Sequence, residues 1–288
     1  MGRKKAIAMA VLIVCLLTAW LSPARPQLAE LAGLRDISAP QSGQLQVHFL
    51  AVGNADAILL RTADTAILID AGENDDENAV VNYLHRQGVH ALDLAIASHA
   101  DADHVGGMDA VIRQVDTKAV WLGFDQDTSP DAARLFAAMT DRDIRPETPA
   151  LYSEHGIGEL TVQVLGPVPQ AETENDRSLA VRVLFGDVAF LFCGDASSEI
   201  EQQWIADGAD LAAGVIKVGH HGSATSCGDA LLQAANPSIA VISCGKDNEH
   251  GHPDATVLNR LLARNITVWR TDVVGTIVLT TDGVTVWQ

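Results

Sequence analysis

The residues most able to do chemistry sit in one run, Ser98-His99-Ala100-Asp101-Ala102-Asp103-His104-Val105-Gly106-Gly107. Two histidines and two aspartates fall within six residues, directly after the apolar Ala95-Ile96-Ala97 and directly before two glycines. Gathering four such groups at the end of a buried strand costs desolvation and side-chain entropy, so packing alone does not select them. Imidazole and carboxylate donors suit a divalent metal held by three or more side chains with room left for a water. His99 and Asp101, two apart, share one side of a short extended segment, while the adjacent Asp103 and His104 point to a second, neighbouring ion. Further donors must come from later strands. Asp195 follows the apolar run ending at Phe192, and His220-His221 follows Val215–Val218.

The run resembles the metal-binding signature of the metallo-β-lactamase superfamily, His-x-His-x-Asp-His, with Asp101 in place of the second histidine. That variant is similar to the hydrolase domain of ComEC-type DNA-uptake proteins. Leu50-Ala51-Val52-Gly53, Leu68-Ile69-Asp70-Ala71-Gly72, Asn175-Asp176-Arg177-Ser178, Cys193-Gly194-Asp195, Gly219-His220-His221-Gly222-Ser223 and Gly251-His252-Pro253 match in the same order. The resemblance spans Leu45 to the C-terminus. It implies an α/β fold, a four-layer αββα sandwich in a single domain, with metal where strand-end loops converge.

The resemblance also implies one or two divalent ions, zinc or manganese, held by His99, Asp101, Asp103, His104, Asn175, Asp195 and His221, with Asp195 bridging. One of His220 and His221 is the ligand, and His221 is favoured; the other meets the scissile phosphate or an outer partner. The superfamily's further histidine is missing from Thr173–Ser178, and Asn175 or Asp176 takes its place. Oxygen donors in place of imidazoles harden the site and shift preference from zinc toward manganese or magnesium. Asp103, His220, His252 and Ser223 are the catalytic candidates. Asp103 orients a nucleophile, His252 offers a hydrogen bond or proton to the phosphate or leaving group, and Ser223 reaches a non-bridging oxygen. Lys217 and Lys246 are the nearest cations in sequence to this half of the site. Asp70 and Gly72 are expected to shape a turn beneath it. His48, His85, His90 and His155 have no supporting context and are expected at the surface or as caps.

The elements that must position these groups alternate between strands and helices. Strands are expected at 45–52, 57–61, 66–69, 92–97, 119–122, 160–165, 179–185, 188–192, 215–218, 239–243 and 267–270, from short apolar runs bounded by turn residues. Helices are expected at 77–86, 108–114, 130–140, 197–205 and 258–263, the third with Pro130 in its first turn. The ligand run at 100–105 and the segment 145–158 read as loops, and the chain closes with a hairpin turning at Asp282-Gly283.

The chain has 288 residues and is 48% hydrophobic, ample for a core. It carries 19 basic against 37 acidic residues, a formal charge of −18, so its overall field repels polyanions. No broad basic nucleic-acid surface is expected, although bound metal would supply local positive charge. Arg3, Lys4 and Lys5 precede the apolar stretch 6–21 and Ser22-Pro23-Ala24, the order of an export signal. Residues 1–24 are therefore expected to be a signal peptide or an N-terminal membrane anchor, 25–44 a linker and 45–288 the hydrolase domain. In either case the domain lies outside the cytoplasm, secreted, periplasmic or anchored. Cys193, Cys227 and Cys244 lack paired zinc-site spacing. The leading expectation is a phosphodiesterase acting on a small phosphoester or, as a nuclease, on DNA. The alternatives are a hydrolase of another ester, lactone or β-lactam, and a non-catalytic accessory of a DNA-uptake complex. A role in uptake would need a separate membrane channel, because only one membrane segment is in prospect.

Overall fold

Short apolar strands with no polar face must be covered on both sides, and that requirement builds the layers here. A computed structural model describes residues 37–74, 77–125, 129–169 and 171–288. Within the compact unit Ala39–Gln288, the first half holds β1 (Leu45–Phe49), β2 (Ala57–Arg61), β3 (Ala66–Ala71), β4 (Ala91–Leu92), β5 (Leu94–Ala97), β6 (Asp116–Thr117) and β7 (Val120–Leu122). The second half holds β8 (Glu154–Ile157), β9 (Leu160–Val164), β10 (Val181–Phe185), β11 (Val188–Phe192), β12 (Val215–Lys217), β13 (Ile239–Ile242), β14 (Thr267–Arg270), β15 (Ile277–Thr281) and β16 (Val286–Trp287). Among the described residues, sheet one runs β16-β15-β1-β2-β3-β5-β7 and sheet two runs β14-β13-β12-β11-β10-β9-β8.

Side-chain parity distributes each strand between two cores. Ile58, Leu60, Ile67, Ile69, Leu94 and Ile96 of sheet one meet Val181, Val183, Phe190, Phe192, Val215 and Val241 of sheet two in a central core. The intervening residues turn outward. Leu59, Leu68, Ala95 and Val120 pack under α1 (Glu77–Arg86), α3 (Met108–Gln114) and α4 (Pro130–Asp141). Leu191, Ile216 and Ala240 pack under α5 (Ser198–Ala206), α6 (Asp229–Ala235) and α7 (Ala255–Ala263). The result is the expected four-layer αββα sandwich. In each sheet the parallel strands lie together at one end, β3-β5-β7 and β11-β12-β13-β14. Asp70 near the end of β3 and the loops that carry His99, Asp195 and His221 all lie at the C-terminal ends of these strands, the usual place for a ligand crevice in parallel sheets.

Four expectations change. The run at 100–105 contains a short helix, α2 (Ala102–Val105), rather than loop alone. The segment 145–158 yields the edge strand β8, half exposed and without a continuous apolar run to announce it. The helix α6 went unread, and another single turn, α8 (Thr271–Val274), follows β14. His48 is fully buried in β1, bonded through Nδ1 to the Tyr83 hydroxyl at 2.7 Å. Burial, aided by Arg61, pushes its imidazole down to about 3. Cys193, Cys227 and Cys244 are buried and unpaired. The signal or anchor at 1–24, including 6–21, lies outside the described residues. Among those described, no helix is long and apolar enough to cross a membrane.

Candidate metal centre

Asp70 at the end of β3 fastens the ligand run to its neighbouring strand. Its Oδ1 accepts the Ser98 backbone N–H at 2.8 Å and its Oδ2 accepts the Ser98 hydroxyl at 2.7 Å. Its backbone is left-handed, with φ of 57°. The next turn is clipped by the Asp56 N–H, which donates to the Asp103 carbonyl at 3.0 Å. Gly106 and Gly107 let α2 approach the 71–74 loop. A Cβ on Gly106 would lie 2.6 Å from the Asn74 nitrogen, and one on Gly107 would lie 2.3 Å from the Ala71 oxygen.

These anchors decide which ring nitrogens face the cleft. His104 donates from Nδ1 to Asp70 Oδ2 at 2.8 Å, leaving Nε2 toward Asp195 Oδ1 at 3.2 Å. His221 donates from Nδ1 to the Ser243 carbonyl at 3.1 Å, leaving Nε2 toward Asp103 Oδ2 at 3.2 Å. His99 Nδ1 meets the Ser98 hydroxyl at 3.0 Å, leaving Nε2 toward Asp101 Oδ2 at 3.6 Å. An outer hydrogen bond that fixes the tautomer is the usual support of a metal-binding imidazole.

Donor atoms of Asp103, His104, Asp195 and His221 lie within 4.8 Å of one another. The Nε2 atoms of His99, His104 and His221 and Oδ1 of Asp195 are buried without a hydrogen-bond partner. Buried polar atoms are rarely left so, and the three inside the four-donor cluster, from His104, His221 and Asp195, converge from two sheets as a divalent cation requires. The charge pattern agrees. Burial opposes ionisation of Asp195, but His104 and His221 outweigh it and hold the carboxyl well below its usual range. Burial likewise opposes ionisation of Asp103, and His221 beside it, with the His104 field, brings it down to about 2. Burial would lower His104, but Asp195 and Asp70 raise it well above an ordinary histidine. This is a centre that attracts positive charge.

The loop that delivers His221 is strained. His220, His221 and Gly222 take φ of 49°, 51° and 85° in succession. Left-handed geometry at a non-glycine residue costs on the order of 1–3 kcal/mol and persists where surroundings enforce it. Here Ser226 Oγ donates to the Gly219 carbonyl at 2.7 Å, and Glu201 on α5 accepts the N–H groups of Cys227 and Gly228 at 2.6 and 2.8 Å.

The other sequence candidates fall in three places. His99 and Asp101 form a pair beside the four-donor cluster, the His99 ring 4.1 Å from that of His104. Asn175 lines the cleft, but its amide donates to His220 Nε2 at 3.3 Å. His220 stands with Asn175, 3.7 Å from Asp195 Oδ2. His252 lines the rim beside His250, ring centres 5.5 Å apart. Burial, followed by the neighbouring histidines, lowers its imidazole. Asp176 accepts the Ser197 N–H at 3.0 Å instead of taking the missing histidine's place. The structure does not bring Ser223 to the cleft; its hydroxyl pairs with Thr225 Oγ1 at 2.9 Å. Lys246 is exposed and does not line it.

The cleft has a volume of about 420 Å³. Glu73, Asp101, Asp103 and Asp195 contribute carboxylates to it, and among the described residues its lining contains no lysine or arginine. Sequence reading missed Asn54, Glu73 and His250 on this rim, and Asp56 beneath it. Asp56 carried one usable signal, a carboxylate immediately before the apolar strand β2. Asp70 does more than shape a turn, since it orients both Ser98 and His104.

A family model described as Metallo-beta-lactamase superfamily matches residues 50–246. ComE operon protein 3 of Bacillus subtilis is 31% identical over 202 residues, 70% of this chain and 26% of that protein. Competence protein ComA of Neisseria gonorrhoeae is 30% identical over 251 residues, 86% of this chain and 34% of that protein. The chain thus spans between a quarter and about a third of these relatives' lengths. Among solved structures, the metallo-beta-lactamase fold protein YhfI of Bacillus subtilis superposes with a TM-score of 0.55 at 15% identity, covering 83% of this chain and 99% of that one.

Proposed function

This chain belongs to the metallo-β-lactamase superfamily, and on that premise we propose that it is a metal-dependent phosphodiesterase acting outside the cytoplasm. The observation that carries the reading is the convergence of donor atoms of Asp103, His104, Asp195 and His221, of which Nε2 of His104 and His221 and Oδ1 of Asp195 are buried and unpartnered, beside an open cleft that Asp103, Asp195 and His221 line. Asp103, His104, Asp195 and His221 would hold one ion; His99 and Asp101 would serve a second. Manganese or zinc is the occupant that a mixed carboxylate and imidazole set suits. When bound, such an ion polarises a phosphoryl group and lowers the pKa of a water.

The remaining work belongs to side chains of the rim. His252, kept neutral near pH 7 by burial and by its histidine neighbours, offers an N–H to a phosphoryl or leaving-group oxygen. Asn175 holds His220 in place through its amide, so His220 meets substrate with a fixed ring orientation. Asp103, shared between His221 and the cleft, aligns the attacking oxygen.

The acidic lining favours a compact phosphodiester over a long polyanion. A second reading, a nuclease working on a single DNA strand, draws on the similarity to two competence proteins. In that reading a separate membrane channel would be the partner. Export rests on the basic start and apolar stretch at residues 3–24.

The test is hydrolysis of bis(p-nitrophenyl) phosphate and of single-stranded DNA, side by side, with manganese, zinc or chelator. The expected result is metal-dependent turnover of the small ester that an Asp103→Ala, His104→Ala variant loses. Turnover of both substrates would promote the nuclease reading. A folded protein inactive on both with every metal would overturn the phosphodiesterase and favour an accessory role.

A further inference from the structure

Beneath the four-donor cluster lies a second set of donors. Asp56, Asp70 and His104, all buried, also bring one ligand atom each within 4.8 Å of the others. Two carboxylates removed from water require a compensating cation. Lys217, with a side chain only 1% exposed, supplies it, its ammonium in contact with Asp56 Oδ2. Strand parity puts it there. Lys217 pairs in register with Phe192 on one side and Val241 on the other, and both of those point into the core between the sheets. A lysine in that row extends into the inter-sheet space directly below the site. Burial pulls its ammonium down, but Asp56, Asp195 and Asp70 outweigh burial and raise it.

Resting on the metal reading above, we propose that Lys217 is a built-in cation that occupies the Asp56–Asp70–His104 pocket, keeps a metal ion out of it and so confines metal to the outer cluster. The reason is the proton count of an imidazole. A neutral ring has one N–H and one lone pair. With Nδ1 donating to Asp70, Nε2 is the His104 nitrogen left for an ion in the outer cluster. An ion in the inner pocket would take the Nδ1 lone pair, force the proton onto Nε2 and withdraw His104 from the outer cluster. Asp56 Oδ1, buried without a hydrogen-bond partner and 3.8 Å from His221 Nδ1, would serve such an ion readily. Lys217 is thus a positioning residue, acting on metal through Asp56 and His104.

The test is a manganese titration of the metal-depleted full chain, reading the free ion by electron paramagnetic resonance. Lys217→Met should bind one ion more per chain than wild type, and adding Asp56→Asn should remove that gain. Lys217→Arg, which keeps the fixed charge, should retain wild-type stoichiometry. Wild-type stoichiometry in a folded Lys217→Met would overturn the proposal. If Lys217→Met fails to fold without metal, excess manganese should restore its circular dichroism. Failure to do so, while the Asp56→Asn, Lys217→Met double variant folds, would also overturn it. A wild type that binds no ion would instead defeat the metal reading, and the added ion in Lys217→Met would still decide the lysine's role.

Discussion

Sheet one delivers its donors from a single short stretch, His99 to His104, closing the end of β5. Sheet two delivers Asp195, His220, His221 and His252 from separate loops after β11, β12 and β13. The two halves are also held differently. The first is fixed by a buried carboxylate, Asp70, and by glycines that let α2 sit tight on its neighbour. The second relies on a left-handed backbone at His220 and His221, kept in place by α5 and the serine-rich loop that follows. A contiguous half can assemble by local bonding. A dispersed half must be assembled by tertiary structure, and it stores strain to do so.

The sharpest way to break this pairing is to remove the residue that both halves share. Asp195 faces His104 at 3.2 Å from one half and His221 at 3.7 Å from the other. Asp195→Ala is expected to weaken metal binding by more than about 100-fold, beyond the range seen for outer partners. Calorimetric titration with zinc or manganese would measure it. Asp70→Asn disturbs only the first half, through His104 Nδ1, and should cost about 10–100-fold in affinity while the fold survives. The same titration, alongside circular dichroism, separates these outcomes.

The second half should carry a pH dependence opposite in sign to the one that buried His48 gives the first. Burial raises the Glu201 carboxyl to about 7, although it accepts two backbone N–H bonds. A carboxyl raised in the folded state favours folding most while protonated. That stability is complete below the unfolded value of 4.5 and is lost as pH rises through the folded value, a change of roughly 3 kcal/mol at most. Urea unfolding of the chelated proteins across this window should show wild type losing stability relative to Glu201→Gln as pH rises, a comparison from which the opposite contribution of His48 cancels. The smallest expected effect is at Gly222. An alanine there would put its Cβ 2.6 Å from Pro253 Cβ at a φ of 85°, costing about 1–2 kcal/mol of stability. A shifted urea midpoint with first-half variants such as Asp70→Asn adding independently would support two separately braced halves.

The contrast between the halves also explains what was legible. The run at 98–107 announced itself because its donors are neighbours in sequence, and apolar runs located β2, β5, β11 and the helices α1 and α3. Edge strand β8 was not legible, because a half-exposed strand has no apolar run to mark it. Ser223 looked available beside the two histidines, but the left-handed turn at 220–222 ends with its hydroxyl on Thr225. His48 looked like a surface histidine until the pairing of β1 with β2 and β15 buried it. Asp56 and Lys217 are 161 positions apart by number, and only the stacking of the two sheets brings them together.

The most direct measurement is anomalous diffraction at the manganese or zinc edge from crystals grown with that metal. The predicted result is a peak enclosed by Asp103, His104, Asp195 and His221, with ligands from both sheets. Fully occupied metal elsewhere, with those four residues holding only water, would contradict a centre built from the two halves.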